Sequence, residues 1–189
     1  MMKISMLLGT VREGRQSHRA AFYVAKSLKK RGIEPDLIDL AKFPLPVFGT
    51  DEKSGEEALK NIELISFRLQ EADALIFVSP EYHGSFSGAL KNALDHFWPE
   101  FQRKPIGVVA TSSGRMGGIN ASTQLQHVIL SLGAFPLPYK LLVSDIPHAF
   151  DDFFEPENEQ IIRMTNKFLD EFLWFAEALH HKKTKETIT

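Results

Sequence analysis

Three polar segments of this sequence carry residue types that can hold an anion or a planar heterocycle. They are residues 9–17, 79–88 and 111–118, and each directly follows an apolar run that is typical of a buried strand. In an open α/β sheet, ligands bind in the crevice beyond the carboxyl ends of the parallel strands. The three segments together therefore predict one ligand site at that edge of a sheet.

The first segment lies between a strand and the helix that follows it, so its backbone N–H groups and the positive helix end can hold an anion. Side-chain donors accompany them, from Thr10, Arg12, Arg15, Gln16 and Ser17. The segment lacks both the Gly-Lys-Ser/Thr end of a Walker loop and the three-glycine spacing of a Rossmann loop. It predicts a cradle for a monophosphate. In the alternative interpretation, the serine only caps the helix and the arginines are solvated.

The second segment offers backbone donors and acceptors, an aromatic face and an imidazole, from Pro80, Glu81, Tyr82, His83 and Gly84. We expect an exposed loop here, between a strand that stops at Pro80 and a helix that begins at Gly88. These groups suit recognition of the edge of a flat heterocycle. The Gly-x-Ser-x-Gly elbow is missing, which disfavours a hydrolase triad.

The third segment is small and polar, and Ser112, Ser113 and Gly114 could flank the other side of the same ligand. The alternative is a permissive turn in which glycines supply positive φ angles.

In the predicted helix after the second segment, Lys91 and Asp95 are four residues apart, a spacing that predicts an ion pair. Asn92 could serve the second segment or bond to a neighbouring backbone group.

Composition removes several classes of chemistry. Cysteine is absent, and the seven histidines include no His-Glu-x-x-His spacing, so we expect no metal site. A formal charge of -2 favours neither nucleic acid nor an anionic membrane surface as a partner. The apolar run near the amino terminus is too short for a membrane span or a signal peptide, so we expect a soluble, cytoplasmic protein.

Hydrophobic periodicity predicts alternating strands and helices. The strands lie at residues 4–8, 36–40, 74–79, 106–111 and 139–143, and the helices at 17–31, 57–71, 88–97, 117–132 and 157–180. Prolines exclude helix and central strand from residues 43–49. The pattern predicts a doubly wound α/β fold with a five-stranded parallel sheet in the order 2-1-3-4-5. We expect one domain over residues 1–181, followed by a frayed polar tail over residues 182–189.

Two stretches resemble a known family. The run from Gly9 to Arg12 and the run from Ser79 to Tyr82, followed by residues 88–95, are similar to the NADPH-dependent FMN reductase family, which includes quinone, azo-dye and chromate reductases. The resemblance extends through nearly the whole chain. It implies a flavodoxin-like three-layer sandwich, an FMN cofactor, and NADPH as the hydride donor with NADH as an alternative.

The resemblance also implies residue roles. Thr10, Arg12, Gln16 and Ser17 would hold the FMN phosphate, Pro80, Glu81, Tyr82 and His83 would lie along the ribityl chain and the ring, and Ser112 and Gly114 would approach the other ring edge. His83 departs from the Asn that many members carry. The implied mechanism is ping-pong hydride transfer from NADPH to FMN and then to a quinone, azo compound, flavin or similar acceptor. Because the flavin carries this reactivity, we expect no catalytic side chain.

The family that the sequence resembles is commonly dimeric, with each flavin site near the subunit interface, so we expect a homodimer or homotetramer. Here the loop of residues 43–48, together with Phe86, Phe97, Trp98 and Phe101, fits such an interface or, alternatively, ordinary packing. Two other functions stay open at this point. One is a flavodoxin-type electron carrier that docks on redox partners, which the near-neutral charge disfavours. The other is a non-catalytic interaction protein with the same fold.

Overall fold

A computed structural model of the chain describes residues 2–50 and 55–188, with side chains described as far as residue 183. The strands are β1 (Ile4–Leu8), β2 (Asp36–Asp39), β3 (Ala74–Tyr82), β4 (Ser85–Phe86), β5 (Pro105–Thr111), β6 (Phe135–Pro136) and β7 (Leu141–Val143). The α-helices are α1 (Ser17–Lys29), α2 (Glu56–Glu71), α3 (Gly88–His96), α4 (Ile119–Ser131) and α5 (Glu159–Ile188), and 3₁₀ turns occupy Pro99–Phe101 and Ile146–His148.

The parallel strands lie side by side in the order β2-β1-β3-β5, with β6 and β7 both beside β5. This confirms the predicted 2-1-3-4-5 order, except that two short strands occupy the fifth position. β6 pairs with the start of β5 and β7 pairs with its end. Pro136 and Pro138 lie at the interruption. A proline cannot donate to a strand ladder, so pairing resumes only at Leu141, two residues after the predicted start.

Alternate residues of the central strands pack on opposite faces of the sheet, as the pleat requires. On one face, Met6, Ile76 and Val78 pack with helices α1 and α5. On the other face, Leu7 and Phe77 pack with helices α2, α3 and α4. Helices thus cover both faces, which confirms the predicted three-layer sandwich.

The region after Pro80 differs from the exposed loop that we expected. Strand β3 continues through Pro80 to Tyr82 and turns back into β4, forming a short antiparallel hairpin. Strand β1 ends opposite Val78, so Pro80 has a paired neighbour only in β5, and its missing N–H breaks no bond with β1. His83 and Gly84 form the two-residue turn with φ angles of 52° and 74°. Positive φ at both positions suits the right-handed twist of a tight hairpin.

Helix α5 also differs from expectation, because its backbone stays helical to Ile188 and covers most of the predicted frayed tail. The last residue of that tail, Thr189, lies outside the described residues. No helix in the described part of the chain is long and apolar enough to cross a membrane.

Candidate functional site

The three polar segments meet at the carboxyl ends of β1, β3 and β5, where they line a cleft of about 290 Å³. The turn at Ile146 and Pro147 closes one side of this cleft. The other lining residues come from the segments that the sequence singled out: Arg12, Gly14, Arg15, Gln16, Ser17, Pro80, Glu81, Tyr82, Thr111, Ser112 and Ser113.

The segment between β1 and α1, residues 9–17, contains the predicted phosphate cradle and is named the phosphate loop for that prediction. It leaves β1 at Gly9, whose N–H donates to the carbonyl of Val78 at 2.8 Å. Helix α1 begins at Ser17, and its N-cap residue, Gln16, makes no side-chain capping bond. Ser17 therefore does not cap the helix as the alternative interpretation supposed. Uncapped N–H groups at a helix start are donors that an anion can use.

Four buried polar atoms around the cleft have no hydrogen-bond partner among the described residues: Thr10 Oγ1, Gln16 Oε1, Ser17 Oγ and Thr111 Oγ1. Thr10, Ser17 and Thr111 are only 1%, 2% and 1% exposed. Burying a polar group without a partner costs about 1–3 kcal/mol, and such atoms are uncommon in folded proteins. Their concentration here fits a polar ligand that supplies the missing hydrogen bonds.

The two arginines of the phosphate loop lie in different environments. Arg12 is exposed and lines the cleft. Arg15 also borders the cleft, but its Nη1 and Nη2 donate to Asp39 Oδ1 and Oδ2 at 2.6 Å and 2.5 Å. Arg15 Nη1 donates as well to the carbonyl of Thr10 at 2.6 Å. The guanidinium that we expected on a phosphate is thus directed at an internal carboxylate.

This ion pair changes the titration of its surroundings. Burial by itself would raise the pKa of Asp39, but the hydrogen bonds from Arg15 and from the N–H of Ala41 outweigh it and lower the pKa. The pKa of His18 is lowered, first by burial and then by the nearby charge of Arg15. The base of the phosphate loop therefore favours an ionised Asp39 and a neutral His18.

The hairpin β3–β4 forms the facing wall, and helix α4 holds it in place. Glu81 Oε2 accepts from the N–H of Ala121 at 3.1 Å and its Oε1 accepts from Asn120 at 3.4 Å, so this carboxylate satisfies the start of α4. Gln124 donates to the carbonyl of Gly84 at 2.7 Å and accepts from Ser85 Oγ at 2.7 Å. These contacts were not predicted, because they join residues about forty positions apart.

A serine links the hairpin to the phosphate loop. Ser87 Oγ accepts from the N–H of Leu90 at 3.1 Å, capping α3, and donates to the carbonyl of Gly9. Gly9 also lies against α3, since a Cβ added there would be 2.6 Å from Leu90 Cβ. Neither Ser87 nor Gly9 was among the predicted site residues, although Ser87 directly precedes the helix pattern, where capping serines are common.

The third segment behaves mainly as the turn of the alternative interpretation. Ser112 Oγ accepts from the N–H of Gly114 at 3.1 Å. Gly118 has a φ of 87°, and a Cβ there would be 2.9 Å from Ala110 Cβ. Ser112 and Ser113 nevertheless line the cleft. The predicted residues outside the set of lining residues are Thr10, buried below the cleft, His83 and Gly84 at the hairpin turn, and Gly114.

Helix α3 follows the hairpin and contains Lys91, Asp95 and Asn92, for which the sequence predicted specific contacts. Lys91 and Asp95 form the expected ion pair, with Nζ to Oδ1 at 2.6 Å. Asn92 accepts from the N–H of Phe48 at 2.9 Å and donates to the carbonyl of Pro46 at 2.7 Å. It therefore anchors residues 43–49, the proline-rich loop, instead of the hairpin.

The aromatic residues that we expected at an interface are divided between core and surface. Phe97 and Phe101 are buried in the core at 1% and 0% exposure, whereas Trp98 and Phe48 are 59% and 54% exposed. Phe43 and Phe86 are partly buried and pack against the core that contains α2, α3 and α4. Ordinary packing thus accounts for Phe97 and Phe101, while Trp98 and Phe48 present apolar surface to solvent.

Comparison with known proteins gives consistent results. A family model described as NADPH-dependent FMN reductase matches residues 2–148. The chain is 29% identical to an FMN-dependent NADPH-azoreductase of Staphylococcus saprophyticus, over 97% of this chain and all of the relative. It is 33% identical to an FMN-dependent NADPH-azoreductase of Staphylococcus aureus, over 76% and 78% of the two chains. In three dimensions it is similar to FerB, a flavoenzyme NAD(P)H:(acceptor) oxidoreductase of Paracoccus denitrificans, with a TM-score of 0.81, 21% identity, and 94% and 98% of the two chains covered.

Proposed function

Because this chain belongs to the NADPH-dependent FMN reductase family, we propose that it is an FMN-dependent NAD(P)H oxidoreductase with a small oxidised acceptor such as a quinone, an azo compound or a flavin. The names of its Staphylococcus relatives support azo compounds within that class. Residues 1–181 form the FMN-binding domain in this proposal, and the cytoplasmic location stays a prediction from the sequence.

One observation carries the proposal. Buried polar atoms without partners and an uncapped helix start occur together beside the exposed Arg12, in the cleft where the loops after β1 and β3 meet. Hydroxyl donors, free N–H groups and a guanidinium are what the oxygens of a phosphate monoester require. The hydrogen-bonding groups of this cleft therefore fit FMN.

In the proposed complex, the chain binds and orients the cofactor. Thr10, Arg12, Gln16 and Ser17 hold the phosphate at the start of α1. The ribityl chain and the ring lie along the hairpin and the third segment, on Pro80, Glu81, Tyr82, His83, Gly84, Ser112, Ser113 and Gly114. Since the carboxylate of Glu81 is engaged by α4, the hairpin faces the cofactor mainly with backbone groups and the Tyr82 side chain.

FMN, when bound, supplies the chemistry: it accepts hydride from NADPH and reduces the second substrate. We propose that NADPH and the second substrate bind alternately at one open face, in a ping-pong order. The hairpin and the third segment would fix the ring on two sides. No side chain of the cleft is proposed as an acid, base or nucleophile.

The visible spectrum of the purified protein tests this proposal directly. After incubation with FMN and removal of the free flavin, we expect a yellow protein that NADPH bleaches under anaerobic conditions and that a quinone or azo dye restores. Initial rates measured against both substrates should give parallel double-reciprocal lines. Retained flavin that neither NADPH nor NADH reduces would instead indicate an electron carrier, and failure to retain FMN would contradict both flavin functions.

A homodimer or homotetramer is part of the proposal. Trp98 and Phe48 are both exposed, and exposed aromatic side chains of this size are typical of interfaces. Sedimentation equilibrium of the FMN-bound protein measures the assembly state, and a monomer at micromolar concentration would contradict this part.

A further inference from the structure

We propose that Arg15 and Asp39 are positioning residues that hold the phosphate loop in its binding conformation, and that Arg15 is not itself a ligand of the phosphate. This inference rests on the proposed function. It assigns to Asp39, at the end of β2, a role in recognition of the cofactor phosphate.

The geometry is that of a two-point clamp. The two terminal nitrogens of Arg15 donate to the two carboxylate oxygens of Asp39, at 2.6 Å and 2.5 Å, which is the bidentate arrangement that fixes both orientation and distance. A further bond at 2.6 Å runs from Arg15 to the carbonyl of Thr10. One side chain thus ties the first turn of the phosphate loop to the neighbouring strand.

Burial makes this clamp stiff. The side chains of Arg15 and Asp39 are 17% and 4% exposed, so solvent competes little for their hydrogen bonds. The carboxylate has a further donor, because the N–H of Ala41 donates at 3.1 Å to Oδ1, the oxygen that also accepts from Arg15 Nη1. Releasing the guanidinium toward a phosphate would leave a buried carboxylate without its charged partner, which is costly.

The neighbours of Arg15 in the loop show the complementary pattern. Thr10 and Ser17 each keep a buried hydroxyl that lacks a partner among the described residues, and a hydroxyl can donate to a phosphate oxygen. The carbonyl of Thr10 is bound by Arg15 while its hydroxyl stays available. The loop therefore separates residues that offer hydrogen bonds to a ligand from a residue that fixes where those hydrogen bonds point.

The substitution Asp39→Asn tests the inference by the sign of its effect. The amide keeps the shape of the side chain and can still accept from Ala41, but it loses the charge that holds Arg15. We expect FMN binding to weaken about tenfold, as for the loss of one charge-assisted contact. Unchanged or tighter FMN binding would overturn the inference, because a released Arg15 that acts as a phosphate ligand would give that result.

Riboflavin, which lacks the phosphate, separates positioning from general damage. We expect the Asp39→Asn variant to bind riboflavin within about twofold of the unaltered protein, so that the ratio of FMN to riboflavin affinity falls about fivefold or more. Equal weakening of both flavins would overturn the inference in favour of a structural role.

Strand β2 provides a matched control at its other end. Arg68 donates to Asp36 through Nε at 3.0 Å and through Nη2 at 2.5 Å, so Asp36→Asn breaks the same kind of ion pair on the same strand away from the cleft. This variant should keep the FMN to riboflavin ratio unchanged. An equal fall in that ratio would overturn the inference.

Variants of Arg15 test the clamp from its other partner, and Arg15→Lys serves where Asp39→Asn folds poorly. Arg15→Lys retains the positive charge but cannot form the planar two-point bridge, and we expect it to lower the same ratio. Starting from Arg15→Met, the added Asp39→Asn change should cost little more FMN affinity, because both substitutions remove the same clamp. Additive losses would overturn the inference.

The unaltered protein separates this inference from the proposed function. If it binds riboflavin and FMN equally, the proposed phosphate cradle itself is contradicted. If it prefers FMN and the variants keep that preference, only this inference is contradicted.

Discussion

The two walls of the cleft use their polar residues in opposite ways. In the phosphate loop, Thr10, Gln16 and Ser17 keep buried polar atoms that have no partner in the described part of the chain. In the hairpin wall, Glu81 and Ser85 are bonded to α4. Polar composition alone does not mark a ligand site, since both walls are polar. Unused hydrogen-bonding capacity is the more specific mark.

The reason for this difference lies in what packs behind each wall. The phosphate loop precedes α1, whose first N–H groups have no preceding turn to bond with and no side-chain cap. The hairpin lies against the start of α4 and directly precedes α3, so its side chains satisfy the ends of those helices. A ligand can therefore complete the first wall, whereas the second wall is completed by the protein.

The largest effect that would break this comparison concerns Arg12, the exposed cation of the phosphate loop. We expect Arg12→Ala to weaken FMN binding about 10–100-fold, because a hydrogen bond to a charged group contributes about 1.5–3 kcal/mol. Fluorescence titration measures it. Arg163→Ala is the control, since Arg163 is an exposed cation on α5 that is paired with Glu159. Unchanged affinity in Arg12→Ala would remove this residue from the cradle.

A serine of the hairpin wall gives the next effect. Ser87 caps α3 and bonds to Gly9, so Ser87→Ala should lower the free energy of unfolding of the cofactor-free protein by about 1–2 kcal/mol. Urea denaturation followed by circular dichroism provides the measurement. A variant as stable as the unaltered protein would mean that this wall is not completed by its own side chains.

The same substitution in the phosphate loop should act differently. Ser17 Oγ is buried without a partner, so Ser17→Ala removes no described hydrogen bond and should leave stability unchanged or raise it. FMN affinity should fall about 3–10-fold, as expected for one neutral hydrogen bond of about 0.5–1.5 kcal/mol. Paired titration and urea experiments test both signs. Destabilisation equal to that of Ser87→Ala would remove the contrast between the two walls.

The smallest effect concerns Gln124, which bonds the hairpin to α4. Gln124→Ala removes two hydrogen bonds to the turn and should speed amide hydrogen exchange in β4, while costing only about 0.5 kcal/mol of stability at this exposed site. Gln126→Ala is the control on the same helix, because Gln126 bonds to the carbonyl of Leu137 instead. Equal exchange rates in the two variants would show that Gln124 does not hold the hairpin.

Much of the fold follows from local pattern. The apolar runs of β1 and β5 and the periodic apolar residues of the five helices are local features, and their alternation was enough to predict the sheet order. The hairpin was not predicted, because its existence depends on pairing with the extended end of β3 and on contacts with α4. The split fifth strand was not predicted either, because local periodicity does not show where Pro136 and Pro138 interrupt pairing with β5.

The lining residues of the candidate site were predicted in part from the sequence, and their hydrogen-bond partners were not. The sequence identified Arg12, Gln16 and Ser17, which line the cleft, since their side chains follow a strand and precede a helix. It placed Arg15 with them, although the structure directs that guanidinium to Asp39. Two arginines in one loop look equivalent in the sequence, and only the neighbouring strand distinguishes them.

The sequence by itself determined the alternation of strands and helices, and therefore which polar segments reach the carboxyl edge of the sheet. The tertiary structure alone decided which of those polar groups the protein already uses. The physical reason is range. Hydrogen-bond partners here are separated by 24 residues for Arg15 and Asp39, 40 for Gln124 and Gly84, and 78 for Ser87 and Gly9. Periodicity reports which way a residue faces, but only the folded chain shows whether its hydrogen bonds remain available for a ligand.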